Sequence, residues 1–142
     1  MADLAFEGSV WCNIDVVLRQ IDLLYRQETE VLGLSVIEWY VLRALYQQDG
    51  QMASRLAEAV GRPVTSFTPI LDDIERKGLI ERCPYPANRR AIKIQLTPQG
   101  RALEERVKAG AARVDNQLRR KFSERAWRGF EAVVAMLQTM TP

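Results

Sequence analysis

Apolar residues recur every three or four positions along most of this chain, and the period changes only once. Over residues 9–31 the stripe is Val10, Ile14, Val17, Leu18, Ile21, Leu24 and Tyr25. That spacing predicts an amphipathic helix, closed by Gly33. Ser35, followed three residues later by Glu38, predicts a capping box. It heads a second helix whose apolar face is Val36, Ile37, Tyr40, Val41, Ala44 and Leu45. Asp49-Gly50 reads as a turn. A short helix over about 52–60 follows, and Gly61 turns the chain into the next one. Pro63 is expected at the first position of that helix, where a missing N–H costs nothing. The helix runs to about Lys77, with Gly78 as its C-terminal cap and Ile70, Leu71 and Ile74 as its buried face. The period then drops to two. Residues 79–83 and 91–96 predict short antiparallel strands, the second with Ile92, Ile94 and Leu96 on one face. Between them residues 84–90 hold two prolines, which predict a loop outside regular pairing. Thr97-Pro98 starts a helix expected to reach Phe122. Ser123 caps a last one carrying Trp127, Phe130, Val133, Val134 and Leu137.

The order helix, short helix, tight turn, helix, strand, basic loop, strand is that of a winged helix-turn-helix. The fold expected is mostly α with a small β wing, a single domain over 1–142. Residues 33–97 would form a DNA-binding lobe. The helices of 1–32 and 98–142 exceed what so small a motif needs for its core, and a second copy of the chain is the simplest cover for their apolar faces. They are expected to form a dimerisation lobe.

In such a motif the second helix fits the major groove. Its exposed N-terminal half here is expected to be Val64, Thr65, Ser66, Phe67 and Thr68, of which Val64, Thr65, Ser66 and Thr68 are the candidate readers. Ser54, Arg55 and Arg62 are candidates for the DNA backbone. Asn88, Arg89 and Arg90 lie on the wing, where an arginine can enter a narrow minor groove.

Charge sharpens this picture. The net charge is +2, but residues 1–50 carry −5, residues 51–100 carry +3 and residues 101–142 carry +4. From Arg82 to Lys93 there are four basic residues and no acidic one, a local patch suited to a polyanion. A solvated basic surface is the plainer reading of the same charges, including Arg113, Arg119, Arg120 and Lys121. Histidine is absent, which removes the usual general base and the commonest metal ligand. No enzyme, no metal and no cofactor are expected. No apolar run approaches the roughly 20 residues of a membrane span. The N-terminal stretch lacks the basic start of a signal peptide, so a cytoplasmic location is expected. Cys12 and Cys83 are then expected to be reduced.

Three stretches carry a family resemblance. Gly33-Leu34-Ser35-Val36-Ile37-Glu38-Trp39-Tyr40-Val41-Leu42 resembles the opening of the second helix in MarR-family regulators. Residues 74–82, Ile-Glu-Arg-Lys-Gly-Leu-Ile-Glu-Arg, resemble that family's exit from the recognition helix. Residues 88–100, Asn-Arg-Arg-Ala-Ile-Lys-Ile-Gln-Leu-Thr-Pro-Gln-Gly, are similar to its wing and the helix beyond. The resemblance implies a homodimeric repressor on a pseudo-palindromic double-stranded operator, released by a small aromatic or anionic effector or by cysteine oxidation. The family's wing reads Asp-x-Arg; here Asn88 stands for the Asp, and Arg90 is the matching arginine.

Cys12 on the first helix, Tyr25 and Thr68-Pro69 are similar to the organic-peroxide-sensing branch. Trp11, however, stands where that branch has its cysteine, and Val36 where it has a second tyrosine. Trp11, Tyr25, Trp39 and Tyr40 are effector-pocket candidates, with Arg43 as a neutraliser of an anion; aromatics at helical spacing are also ordinary core. Cys12 and Cys83 have the plain alternative of small apolar fillers. A winged helix used for protein contact, without DNA binding, is the alternative from another class.

Overall fold

The computed structural model describes residues 3–142, with Arg89 described by its backbone alone. The elements are α1 (Val10–Glu30), α2 (Val36–Gln47), β1 (Gln51–Met52), α3 (Ala53–Ala59), α4 (Val64–Arg76), β2 (Ile80–Tyr85), β3 (Asn88–Leu96), α5 (Pro98–Ala102), α6 (Glu104–Arg119) and α7 (Glu124–Gln138). Helices dominate, and the three strands form one antiparallel sheet in the order β1-β3-β2. This is a mostly helical winged-helix fold, as the sequence predicts.

The core lies where α2, α3, α4 and the sheet meet. Val41, Leu42, Leu45, Leu56, Phe67, Ile74 and Ile94 are sealed from solvent there, and Val107 and Ala111 extend it onto α6. α6 in turn packs along α1. At Gly110 an added Cβ would lie 3.3 Å from Cβ of Glu28, so the two helices approach closely at that point. Arg113 grips Glu28 beside it at 2.8 Å. That hydrogen bond holds the Glu28 carboxyl below its ordinary range and the guanidinium above its own.

The predicted caps form. Ser35 accepts from the amide of Glu38 while the Glu38 carboxylate accepts from the amide of Ser35, completing the capping box. Ser123 accepts from the amide of Ala126. α3 and α4 both end in the same paired turn. Arg62 N–H reaches the carbonyl of Ala57 and Gly61 N–H that of Glu58; Leu79 N–H reaches Ile74 and Gly78 N–H reaches Glu75. That turn needs a left-handed residue, supplied by Gly61 at φ 66° and Gly78 at φ 75°.

Five expectations need correction. Pro63 is the N-cap of α4 rather than its first helical residue; its extended backbone (ψ 142°) keeps it outside the helix. The prolines do not keep 84–90 out of the sheet: β2 runs through Pro84, and β3 begins at Asn88. β2 is an edge strand, where proline is tolerated. The short strand β1 was not expected. It is held by Asp49, whose Oδ1 accepts from the amides of Leu96 (2.9 Å) and Gly50 (2.8 Å) while Oδ2 meets Arg101 at 2.5 Å. Of the three β3 residues expected on one face, Ile94 and Leu96 are buried but Ile92 is 45% exposed.

Finally, the helix expected over 98–122 is two helices, broken at Leu103. The Tyr46 hydroxyl donates to the carbonyl of Gly100 at 2.7 Å, the acceptor that a continuous helix offers to the amide of Glu104. Burial, reinforced by the charge of Glu104, pushes this phenol up to about 12, against about 10 in an unfolded chain. The contribution is intact below about pH 10 and is lost as pH rises toward 12, because the phenolate binds its proton less tightly in the unfolded state. Denaturant titrations across that range should show a steeper loss of stability in the native chain than in Tyr46→Phe. Parallel curves would refute the assignment.

Candidate nucleic-acid interface

α4 divides cleanly into an inner and an outer face. Phe67, Leu71 and Ile74 are buried, at the i, i+4, i+7 spacing of one helix face. Phe67, expected among the exposed residues, is 1% exposed and belongs to the core. Ile70, expected to be buried, is only partly so. With about 100° per residue, Thr65, Pro69, Asp72 and Arg76 point away from the core, flanked by Ser66 and Thr68. Val64, Thr65, Ser66 and Thr68 are all exposed. The Ser66 hydroxyl donates back to the carbonyl of Pro63 at 3.1 Å, leaving its lone pairs outward. Pro69 brings no N–H to the carbonyl of Thr65, so that oxygen is free of the helix ladder.

The wing stands beside this helix. β2 and β3 pair regularly from Ile80↔Leu96 to Pro84↔Ile92, then the register slips so that Tyr85 faces Asn88. Arg89, Arg90 and Ala91 therefore lie opposite no residue of β2. Such an irregularity bends a strand and re-aims its side chains. Asn88 Oδ1 accepts from the amide of Arg90 at 3.0 Å, so the uncharged residue still orders the tip. The Arg90 side chain is exposed, and no salt bridge of the described residues involves it. The side chain of Arg89 lies outside the described residues.

Around these two elements sit further donors. Ser54 and Arg55 are exposed on the first turn of α3. Arg55 also lines a cleft of about 640 Å³ with Gln51, Glu58 and Tyr85. Arg62, exposed in the turn before α4, lines a second cleft of about 430 Å³ with Asp22, Glu30, Ser35 and Tyr40. Arg82, counted in the sequence among the basic residues of the patch, is not available to a ligand: Asp72, Glu75 and the carbonyl of Thr68 take its guanidinium. The signal was present, because alternation along β2 puts Arg82 on the face of buried Ile80.

The effector and redox candidates are not brought together in one chain. Tyr25 and Trp39 are in contact, with ring centroids 5.0 Å apart, and Arg43 lies over the Trp39 ring at 5.7 Å. The Tyr25 hydroxyl donates to Asp115 at 3.1 Å; burial first, then that carboxylate, pushes it up to about 12. Trp39 Nε1 is buried with no partner among the described residues. Trp11, by contrast, is 77% exposed. Cys12 is thirteen residues from Tyr25 on α1, about 20 Å of helix axis. Cys12 and Cys83 are both free and half-buried, the latter with its thiol 3.4 Å from Gln95 Oε1. No group of metal-ligating residues occurs among the described residues, nor any helix long and apolar enough to cross a membrane.

Comparison with known proteins meets this geometry at the same place. Residues 34–92 match the MarR family. That span holds α2, α3, α4, β2 and most of the wing, including Ser54, Arg55, Arg62 and Arg90. Solved structures extend the likeness of fold to the flanking helices. A Staphylococcus aureus MepR–DNA complex is 24% identical with a TM-score of 0.82, covering 94% of this chain and 100% of that one. A mutant E. coli MarR complexed with operator DNA is 20% identical with a TM-score of 0.80, covering 87% and 89%. A MarR transcriptional regulator from Methanosarcina mazei Go1 gives the same four values. The MarR-like fold thus spans nearly the whole chain.

Proposed function

We propose that this protein is a MarR-type transcriptional regulator that binds a pseudo-palindromic double-stranded operator as a homodimer and is no enzyme. One observation carries the reading. The exposed hydroxyl-bearing start of α4 stands beside a wing whose exposed Arg90 has no ion-pair partner among the described residues and whose tip is ordered by Asn88. Val64, Thr65, Ser66 and Thr68 face the major groove, and Arg90 enters the adjacent minor groove, where narrow width concentrates negative potential. Ser54, Arg55 and Arg62 meet phosphates, which position the protein without reading sequence. That two structures of the same fold hold DNA supports this reading.

Dimerisation rests on the flanking helices. α7 buries none of its residues, yet it carries Phe130, Val133 and Met136. An almost wholly apolar groove of about 570 Å³ runs between α1, α6 and α7, lined by Val17, Ile21, Leu118, Phe122, Trp127 and Phe130. A second copy is the simplest cover for such a face, and a two-fold dimer suits a two-fold operator. Repression relieved by a small aromatic or anionic effector is part of the proposal, with Arg43 and Trp39 its most suitable contacts. No comparable observation supports the thiol-based alternative: within one chain Cys12 and Tyr25 stand far apart along α1.

The test is a gel-shift against the DNA flanking the chain's own gene, with sedimentation to read the bound stoichiometry. The native protein should bind as two chains per site. Arg90→Ala should weaken binding about tenfold, or about 1.4 kcal/mol, and reduce the salt slope by about one phosphate-equivalent. Undiminished binding by Arg90→Ala contradicts the wing assignment. Absence of any specific shift at modest salt favours a winged helix that contacts protein instead.

A further inference from the structure

Arg82 lies in β2 but directs both terminal nitrogens of its guanidinium to α4. Nη2 meets Asp72 Oδ1 at 2.7 Å and the carbonyl of Thr68 at 3.3 Å. Nη1 meets Glu75 Oε2, whose other oxygen accepts from the amide of Arg82 itself at 3.4 Å. The arginine side chain is 22% exposed, against 50% for Asp72 and 40% for Glu75, so the ion pairs lie at a half-sheltered seam. Two consequences follow. A planar fork with fixed donors ties the root of the wing to three successive points of one helix, and it neutralises two carboxylates on a helix that approaches a polyanion.

We propose that Arg82 is a positioning residue: it fixes the angle between the wing and α4, so that the two enter neighbouring grooves as one rigid body. The inference rests on the DNA-binding reading above and adds a determinant that touches no DNA. Lysine keeps the charge but loses the fork, and it cannot hold Asp72, Glu75 and the Thr68 carbonyl together.

Arg82→Lys separates geometry from charge, and Arg82→Met with Asp72→Asn and Glu75→Gln removes the clamp without leaving bare carboxylates. Operator affinity, its salt slope and amide hydrogen exchange over residues 80–96 are measured for both and for the native chain. Both variants should bind about tenfold more weakly with the native salt slope, and their wing amides should exchange faster. Native affinity in either variant would overturn the proposal. So would a slope lower by about one phosphate in the Arg82→Met triple variant, which would make the residue a direct contact. If the native chain itself binds no double-stranded DNA, the DNA-binding reading falls with the positioning role built on it. Exchange then judges the mechanical clamp alone: faster exchange in the variants sustains it, and unchanged exchange overturns that as well.

Discussion

Gly100→Ala should destabilise the protein by about 3 kcal/mol, read as a lower urea midpoint with the denaturant slope unchanged. Gly100 is buried in α5, and a Cβ there would lie 2.1 Å from the carbonyl oxygen of Leu79 and 3.3 Å from Leu96 Cδ2. The first obstacle is backbone, so no rotamer relieves it. Nor is the backbone free to retreat. The Leu79 carbonyl accepts from the amide of Thr97 at 3.1 Å, and the Gly78 carbonyl from the Thr97 hydroxyl at 2.6 Å. Gly100 is held in turn by Thr97 Oγ1 at 3.0 Å and by Tyr46 at 2.7 Å. The control is Gly129→Ala in α7, where nothing lies within 4 Å. Helix propensity alone should raise stability there by up to about 1 kcal/mol. Similar responses at the two positions would show that the close approach at Leu79 does not govern the site.

Phe67→Ala should cost about 3–5 kcal/mol, the usual loss for a buried phenylalanine that leaves a cavity. The side chain is 1% exposed on the inner face of α4, one residue from the outward-facing Thr68. Thr68→Ala should therefore change stability by no more than about 0.5 kcal/mol while lowering operator affinity. Thermal or urea unfolding separates the pair. A stability loss in Thr68→Ala approaching that of Phe67→Ala would mean that the division of α4 into faces is wrong.

The contrast between those neighbours shows what could be read from the sequence. Local signals held: Ser35 and Glu38 formed their box, Ser123 its cap, and Gly61 and Gly78 their left-handed turns, because each acts within a few residues. Phe67 belongs to the core, in keeping with its spacing to Leu71 and Ile74, whereas the helix-turn-helix pattern predicts an exposed start of the second helix. What escaped depends on distant partners. At the break near Leu103 the Gly100 carbonyl accepts from Tyr46, 54 residues away in sequence on α2. The strand β1 pairs with a segment more than 40 residues away, beside the contact of Asp49 with Leu96. The reach of β2 and β3 past Pro84 reflects which edge of the sheet that strand occupies. In the candidate site, the types and positions of Ser66, Thr68 and Arg90 were legible, while the removal of Arg82 from the free charges required two carboxylates on another element.

α7 gives the proposed assembly a thermodynamic meaning. Fifteen residues that bury no side chain within their own chain are near the length at which a helix in water is only marginally stable. Under the dimer reading, the free energy that keeps this helix wound comes from the second copy. Folding of the C-terminal end and association are then one linked equilibrium, in which protein concentration acts as a stabilising ligand. Dilution acts as its denaturant, so occupancy of an operator would fall faster than in proportion as the regulator becomes scarce.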